Sequence, residues 1–429
     1  MSKILIKGGC VLTMGRGNHT CADVLIEDGL IAEVGDGIRA RDAEVIDGED
    51  TIVMPGFVDT HRHTWESLFR YLGDRPEATP DGFGPFYGPD DMYAATMLGL
   101  VSAVDAGITA VVDWCEIAVD SALVEAALQA HSDSGIRSVF AFGASESGAD
   151  WAEGMRRAMA ATRGPLTRLA AGPRGPGSAA IDDIAAEWAV ARGFGLRIHA
   201  HAGTSPSTTG SVAAIGRAGH LADDVVLVHG THFGADDLDA VATAGASVVL
   251  TPASEMCGGL GAPQVQEFID RQIRPGLGVD TERSAPGDMF GPMRSLISLQ
   301  HAAYFDLKLA GKAGLPRLMT TREAIKHATI DGARAAGLVD TGVLEPGMQA
   351  DVVVLRADRP NIVPINDPIG AVVWGMDTSN VDTVIVGGRI LKRAGELTGD
   401  TARVRELALS ARERVGAAAG VGAGTGIGR

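Results

Sequence analysis

The chain has 429 residues, with 54 acidic against 37 basic side chains, a net charge of −17 that would repel a polyanion such as DNA unless basic residues clustered, and they do not. With 45% apolar and 21% charged residues, the composition suits a chain that buries a large core and excludes wholesale disorder. At ~150 residues per domain, the length allows about three units, or one large barrel with a satellite.

From Lys3 to Met54, short β-rich runs alternate with turn signals: ILIKGG, VLTM and ADVLIEDGLIAEVG, where Glu27-Asp28-Gly29 reads as a hairpin turn. The character changes at Pro55-Gly56. From there to about Val339, strand-like runs alternate with Ala-rich helical segments. Candidate strands end near Asp59-Thr60-His61, Val111-Val112-Asp113, Phe140-Ala141-Phe142, Ala170-Ala171, Ile198-His199, Leu227-Val228-His229, Val248-Val249-Leu250 and Leu277-Gly278-Val279, eight in all. Helix-like stretches lie between them, among them Ser121 to Ser132, Asp182 to Arg192, Ala235 to Ala244 and Arg294 to Leu309. This rhythm predicts a β/α barrel over residues 55–344, with a doubly wound open sheet as the alternative that periodicity leaves open.

Beyond Glu345-Pro346-Gly347 strands return as ADVVVLRAD, AVVWGM and VDTVIVGGRILKR, the last with a hairpin turn at Gly387-Gly388. Two β pieces at opposite ends of a chain are each too small to bury a core, so residues 1–54 and 345–412 are expected to pair into one small composite β-sandwich. Residues 413–429, Gly/Ala-rich from Ala417, read as a flexible tail. No run of about 18 apolar residues is free of charge, and Met1-Ser2-Lys3-Ile4 leads straight into a strand pattern, not a signal peptide. A soluble, cytoplasmic protein without membrane or nucleic-acid partners is expected, and a homodimer or higher homo-oligomer is the default for an enzyme of this size.

The four cysteines, Cys10, Cys21, Cys115 and Cys257, form no C-x-x-C pair, which argues against a disulfide framework or a thiolate zinc site. Any metal must use nitrogen and oxygen ligands. In PGFVDTHRH, the strand Phe57 to Thr60 runs into His61 and His63; side chains two apart on a strand face the same way, so both imidazoles can address one ion above a barrel mouth. Alone, an H-x-H also suits surface or capping histidines. Three more strand ends sharpen it: His199 and His201 on the fifth, His229 on the sixth and Asp280 on the eighth. Five of the eleven histidines at strand C-termini is the distribution that a metal site on a barrel mouth calls for. Trp65 and Trp114 suit either stacking on a flat ring or packing the rim. Asp113 and Glu146 can each cap a following helix, and Cys115 and Cys257 read as inert.

These motifs resemble the amidohydrolase superfamily over almost the whole chain. PGFVDTHRH is similar to its strand-one metal motif, VLVHGTHF and LGVDTERS to its strand-six and strand-eight motifs, and ATIDGARAAGLVDTGVLEPGMQADVVVL to its return from barrel to sandwich. The resemblance implies a distorted TIM (β/α)8 barrel with a composite β-sandwich and a divalent metal that activates water. Within the superfamily it points to the single-metal branch of cytosine deaminase, guanine deaminase and the chlorohydrolase-like triazine hydrolases. The two-metal branches usually bridge their ions with a carboxylated lysine at strand four, and here that strand ends Leu169-Ala170-Ala171-Gly172-Pro173-Arg174. One ion is therefore implied, zinc ahead of iron. By position, the resemblance implies ligation by His61, His63 and Asp280, with His199 or His201 from strand five; His201, nearer the strand end, is preferred, and the other becomes a core or supporting histidine. His229 matches the strand-six histidine that lies beside the metal water, to orient or deprotonate it, and Asp280 would pass the proton to the departing group.

One departure matters. The branch usually carries a glutamate three residues past its strand-five ligand, as the acid for the ring nitrogen, but that position is Thr204 counted from His201 and Ala202 counted from His199. Glu255, directly after the seventh strand, is the first candidate replacement; Glu282 and Glu66 are the others, and each can equally be a solvated loop carboxylate. The resemblance implies a metal-dependent hydrolase that deaminates an amino-substituted N-heterocycle of purine, pterin, pyrimidine or triazine type, with Trp65, Trp114 and Glu66 as candidate substrate contacts. The missing acid motivates an alternative, removal of chloride or an alkylamine from a heteroaromatic ring or opening of a cyclic amide. An inactive barrel kept for binding or assembly is a third reading, opposed by the intact His61, His63, His229 and Asp280. The cytidine-type zinc deaminases use H-x-E with P-C-x-x-C, and neither motif is present.

Overall fold

A computed structural model of the chain describes residues 3–15, 17–72, 80–117, 120–143, 148–283 and 285–420. The N-terminal segment forms β1 (Lys3–Leu12), β2 (Asn18–Glu27), β3 (Leu30–Gly35), β4 (Glu44–Asp47) and β5 (Thr51–Pro55). Then follow β6 (Phe57–Arg62), β7 (Ile108–Cys115), β8 (Arg137–Gly143), β9 (Thr167–Gly172), β10 (Ile198–Ala202), β11 (Val225–His229), β12 (Ser247–Leu250) and β13 (Gly276–Leu277). These eight pair in parallel in chain order, as the strand–helix rhythm predicts. Being covered on both faces, they read as continuous Val-rich runs such as VVLVH and SVVL. The helices between them include Ser121–Ser134, Ile181–Gly193, Ala235–Ala244 and Phe290–Leu309, each containing a stretch read as helical from the sequence.

The barrel closes where strand eight is least regular. Asp280 donates its N–H to the His61 carbonyl and accepts from the His63 N–H, both at 2.8 Å, and this bridge joins strand eight to strand one. Gly278 permits that approach, because a Cβ there would lie 2.8 Å from the His61 oxygen and 2.9 Å from its nitrogen. From below, the helix Thr321–His327 spans the same seam: Val58 N–H reaches the Ala328 carbonyl at 2.8 Å and His327 Nδ1 the Pro275 carbonyl at 2.8 Å.

The remaining strands, β14 (Val352–Arg356), β15 (Val381–Val386), β16 (Arg389–Arg393) and β17 (Glu396–Leu397), come from the other chain end. They join β1 to β5 in one nine-stranded mixed sheet through the antiparallel pair β5–β14. Ile4, Ile6, Val24, Val53, Val352 and Ile385 share one core, so neither chain end needs a core of its own. At both predicted hairpins the paired turn residues take positive φ, Asp28 at +50° and Gly29 at +84°, Gly387 at +53° and Gly388 at +77°, which suits the right-handed strand twist.

Three local expectations are corrected. ILIKGG and VLTM are not two strands: β1 runs through the first and ends at Leu12 in the second, and register shifts between Ile6 and Val11 around Gly8-Gly9. AVVWGM is not a strand either. Asp367 accepts from the Ile369 and Gly370 N–H groups and Pro368 sets the first turn, so Ala371–Gly375 continues as a π-helical turn with Val372 and Val373 buried; a short apolar run does not distinguish the two by periodicity. Residues 413–418 of the expected tail close the helix Thr401–Ala418, which Asp400 caps and which buries Ala411 and Val415; residues 421–429 lie outside the described residues. Among the described residues, no helix is long and apolar enough to cross a membrane.

Candidate active site

Asp59 organises the first strand end. Its carboxylate accepts from the Arg62 Nε–H at 2.7 Å, the His61 N–H at 3.3 Å and the Val279 N–H at 3.0 Å, which ties strand eight to strand one inside the barrel. In consequence Asp280 Oδ1 stands 3.3 Å from both His61 Nε2 and His63 Nε2. His201, on β10, brings its Nε2 to 3.1 Å from His61 Nε2. His229 ends β11, and its donor atom lies within 4.8 Å of those of His61 and His201. His229 and Asp280 both take positive φ, +80° and +66°, backbone strain of the kind held at functional sites.

Ligands at about 2.05 Å from a tetrahedral ion are about 3.3 Å apart, a spacing met by Asp280 with His61 and with His63 and approached by His201 with His61; the close donors form two groups that share His61, one with His63 and Asp280 and one with His201 and His229. The electrostatics divide the rings: against its burial, Glu116 and Asp280 raise His63 well above the ordinary value, whereas His61 and His201 are lowered. Burial, against the pull of Asp280, lowers His61 to about 4, and burial together with its histidine neighbours holds His201 well below the ordinary value, leaving neutral rings with a lone pair to offer. Asp280 is buried, yet the His61 and His63 rings at 3.3 Å and the nearby His229 hold it well below the usual carboxylate range. His199 is fully buried with no partner for either ring nitrogen, and among the described residues it joins no group of close donor atoms. Of the two strand-five candidates, only His201 reaches the others.

The carboxylates separate by position. Glu255, in the first turn of the helix Pro252–Cys257, is fully buried behind His229: its Oε1 accepts from the Thr251 N–H at 2.9 Å and lies 3.3 Å from His229 Nδ1. Burial disfavours a charged His229, but this hydrogen bond and the field of Asp280 outweigh it and raise its pKa. The carboxyl first considered as the acid thus lies fully buried against the His229 imidazole. Glu282 accepts from Arg70 at 2.9 Å and Ser67 at 3.0 Å, with Arg62 at 4.0 Å, and so clamps the strand-eight loop to the segment after strand one. Glu66 is nearly enclosed, accepts from the Thr281 hydroxyl, and shares a group of close donor atoms with His63 and Glu116; burial pushes its pKa up to about 7 against the influence of His63 and Thr281. Asp113 accepts from the Thr64 N–H and the Thr64 hydroxyl and meets His131, whereas the helix that follows, Ser121–Ser134, is capped by Asp120. Glu146 lies outside the described residues.

A cleft of about 340 Å³ opens beside His201, lined by Trp114, Gly172, Arg174, Thr204 and Thr208. Trp114 meets the His201 ring edge-on at 4.5 Å and anchors its Nε1–H on the His199 carbonyl at 2.9 Å. Trp65 is only 1% exposed, so the rim-packing reading describes it. Sequence reading missed Arg174, held in the cleft wall by Glu187 at 2.7 Å; Ser254, which donates to Asp280 Oδ2; and Glu116, which meets His63. Arg174 and Glu116 follow strand ends directly, the same signal that exposed the histidines. Nothing local marks Ser254.

A profile of the amidohydrolase family matches residues 52–391. The 5-methylthioadenosine/S-adenosylhomocysteine deaminase of Pyrococcus furiosus is 27% identical over 419 residues, covering 92% of this chain and 96% of that one. The 5'-deoxyadenosine deaminase of Methanothermobacter thermautotrophicus is 29% identical over 432 residues, covering 92% and 94%. The zinc-bound crystal structure of an adenosine deaminase from Xanthomonas campestris has the same fold, with a TM-score of 0.82 at 21% identity over 96% of this chain and 98% of that one. The chain belongs to the amidohydrolase family and is a hydrolase acting on C–N bonds.

Proposed function

We propose that this protein is a single-metal hydrolytic deaminase of an amino-substituted N-heterocycle, with the adenine ring of a purine nucleoside as its substrate. The observation that carries the reading is the pair of close donor groups that share His61, one with His63 and Asp280 and one with His201 and His229, at the mouth of the barrel. Deaminase relatives that span nine-tenths of the chain support the adenine ring as the substrate. His61, His63, His201 and Asp280 would hold the ion, and zinc suits a compact set of imidazole and carboxylate donors. A divalent cation held there lowers the pKa of water from near 16 to about 7, which makes hydroxide available near neutrality.

The chain's own residues supply the rest. His229, steadied at Nδ1 by Glu255, directs its other nitrogen toward the attacking water and takes up its proton. Asp280, with Oδ2 engaged by Ser254, would take the remaining hydroxyl proton of the addition product and pass it to the exocyclic amine, so that the C–N bond breaks, the carbonyl forms and ammonia leaves. Trp114 offers an indole wall for the ring. With Thr204 in place of the usual acid, Glu255 behind His229 and Glu282 held by arginines, Glu66 is the carboxyl we assign to protonate the ring nitrogen. The test is ammonia release from adenosine, 5'-deoxyadenosine, 5'-methylthioadenosine and S-adenosylhomocysteine, with guanine, cytosine and aminotriazines alongside. Activity on the nucleosides that falls in Glu66→Gln is expected, and silence across the panel overturns the reading. Thr204 also favours the second reading, displacement of chloride or an alkylamine or opening of a cyclic amide. Product masses separate these: deamination adds about one mass unit and ring opening about eighteen.

A further inference from the structure

We propose that Glu116 is a positioning residue that fixes the tautomer and orientation of His63 and so tunes metal affinity. Glu116 is the first residue past β7 and is half-buried at the rim. Its Oε2 lies 3.0 Å from His63 Nδ1 and 3.1 Å from Trp65 Nε1. An indole N–H can only donate, so this one oxygen is an acceptor, and a carboxylate oxygen opposite Nδ1 selects the imidazole tautomer that carries its hydrogen there. The lone pair of His63 then sits on Nε2, the atom 3.3 Å from Asp280 Oδ1 and turned toward the other donors.

The acceptor is itself held. Trp65 is almost fully enclosed, its ring meets Tyr87 edge-on at 5.7 Å, and its carbonyl accepts the Tyr87 hydroxyl at 2.7 Å, so the indole N–H reaches Glu116 from a fixed wall. By contrast, His61 Nδ1 has no hydrogen-bond partner among the described residues. A carboxylate that takes the far N–H of a ligating imidazole raises its basicity and sets its angle, and removal of such a partner costs about 10- to 100-fold in metal affinity. The inference rests on the reading of His63 as a ligand.

The test is the zinc affinity of the full chain by competition with a chromophoric chelator, together with the visible spectrum of the cobalt(II)-loaded protein, which reports ligand geometry. Glu116→Leu is expected to bind zinc about 10- to 100-fold more weakly and to shift the cobalt bands, with the melting temperature of the metal-free protein little changed. Glu116→Gln keeps a carbonyl acceptor and should return to within about 3-fold of the wild type. Glu116→Leu binding within about 2-fold of the wild type overturns the proposal, as does Glu116→Gln falling as far as Glu116→Leu. If Glu116→Leu does not fold, the glutamine variant and Trp65→Phe decide: Trp65→Phe frees the carboxylate from its wall, and unchanged cobalt bands in that variant count against the proposal. His63→Ala with undiminished zinc binding would instead overturn the ligand assignment, which keeps the two failures apart.

Discussion

His199 and His201 leave β10 on the same face, and the difference between them is the difference between a core residue and a donor. His201 stands 3.1 Å from His61 at the mouth, whereas His199 lies deeper, where burial lowers its pKa to about 3 and neither nitrogen finds a partner. An imidazole with both nitrogens orphaned contributes no hydrogen bond, so an apolar side chain of similar volume should be tolerated there. His199→Leu is expected to keep its metal and to unfold within about 1 kcal/mol of the wild type, whereas His201→Ala should purify with little metal. Elemental analysis and urea unfolding of the two variants check this; metal retained by His201→Ala and lost by His199→Leu would reverse the assignment.

The helix Thr321–His327 shows how a peripheral element serves the site, because it sits beneath the seam between strands one and eight. Its start is a capping box: Glu323 accepts the Thr320 N–H at 2.9 Å while its own N–H reaches the Thr320 hydroxyl at 3.3 Å, and Arg317 pairs with the same carboxylate at 2.8 Å. The Arg317 hydrogen bond, against a smaller burial effect, lowers Glu323 to about 2 from an ordinary 4.5. A carboxylate depressed on folding stabilises fully above its unfolded pKa and loses that contribution as pH falls through its folded pKa. Glu323→Ala should therefore cost about 1 kcal/mol at pH 7, and the deficit should shrink between about pH 4.5 and pH 2. Denaturant titrations of both proteins across that window measure it, and a deficit that does not vary with pH would show the carboxylate to be inert.

At the scale of the molecule, barrel and sheet are joined by a buried ion pair. Arg137, at the start of β8, meets Asp351 at 2.6 Å and 3.1 Å, and Asp351 also accepts from Thr341 at 2.8 Å and from the Gly387 N–H at 2.8 Å. Both partners are nearly inaccessible to water, so loss of one strands the other. Asp351→Ala should cost roughly 3–5 kcal/mol, far more than an exposed pair, because it leaves a buried guanidinium without its counter-charge. Cooperative urea unfolding reads this, and a loss below about 1 kcal/mol would show that the junction rests on apolar packing instead.

Much of this was legible in the chain. The eight strand ends are visible because the parallel strands, covered on both faces, are short apolar runs, some of which stop at a polar residue, as with Leu227-Val228-His229. The paired hairpin turns carry their own φ requirement in Asp28-Gly29 and Gly387-Gly388. AVVWGM was misread because apolar content without length does not separate strand from helix, and the cap at Asp367 acts only once the chain has turned. Residue types and strand positions thus determine which side chains reach the mouth and what chemistry they can perform. Which of them meet, His201 and not His199, Glu255 behind His229, Glu116 against His63, was decided only by the tertiary structure, since hydrogen bonds of 3 Å depend on depth along neighbouring strands and on the approach that Gly278 allows, distances between segments far apart in the chain.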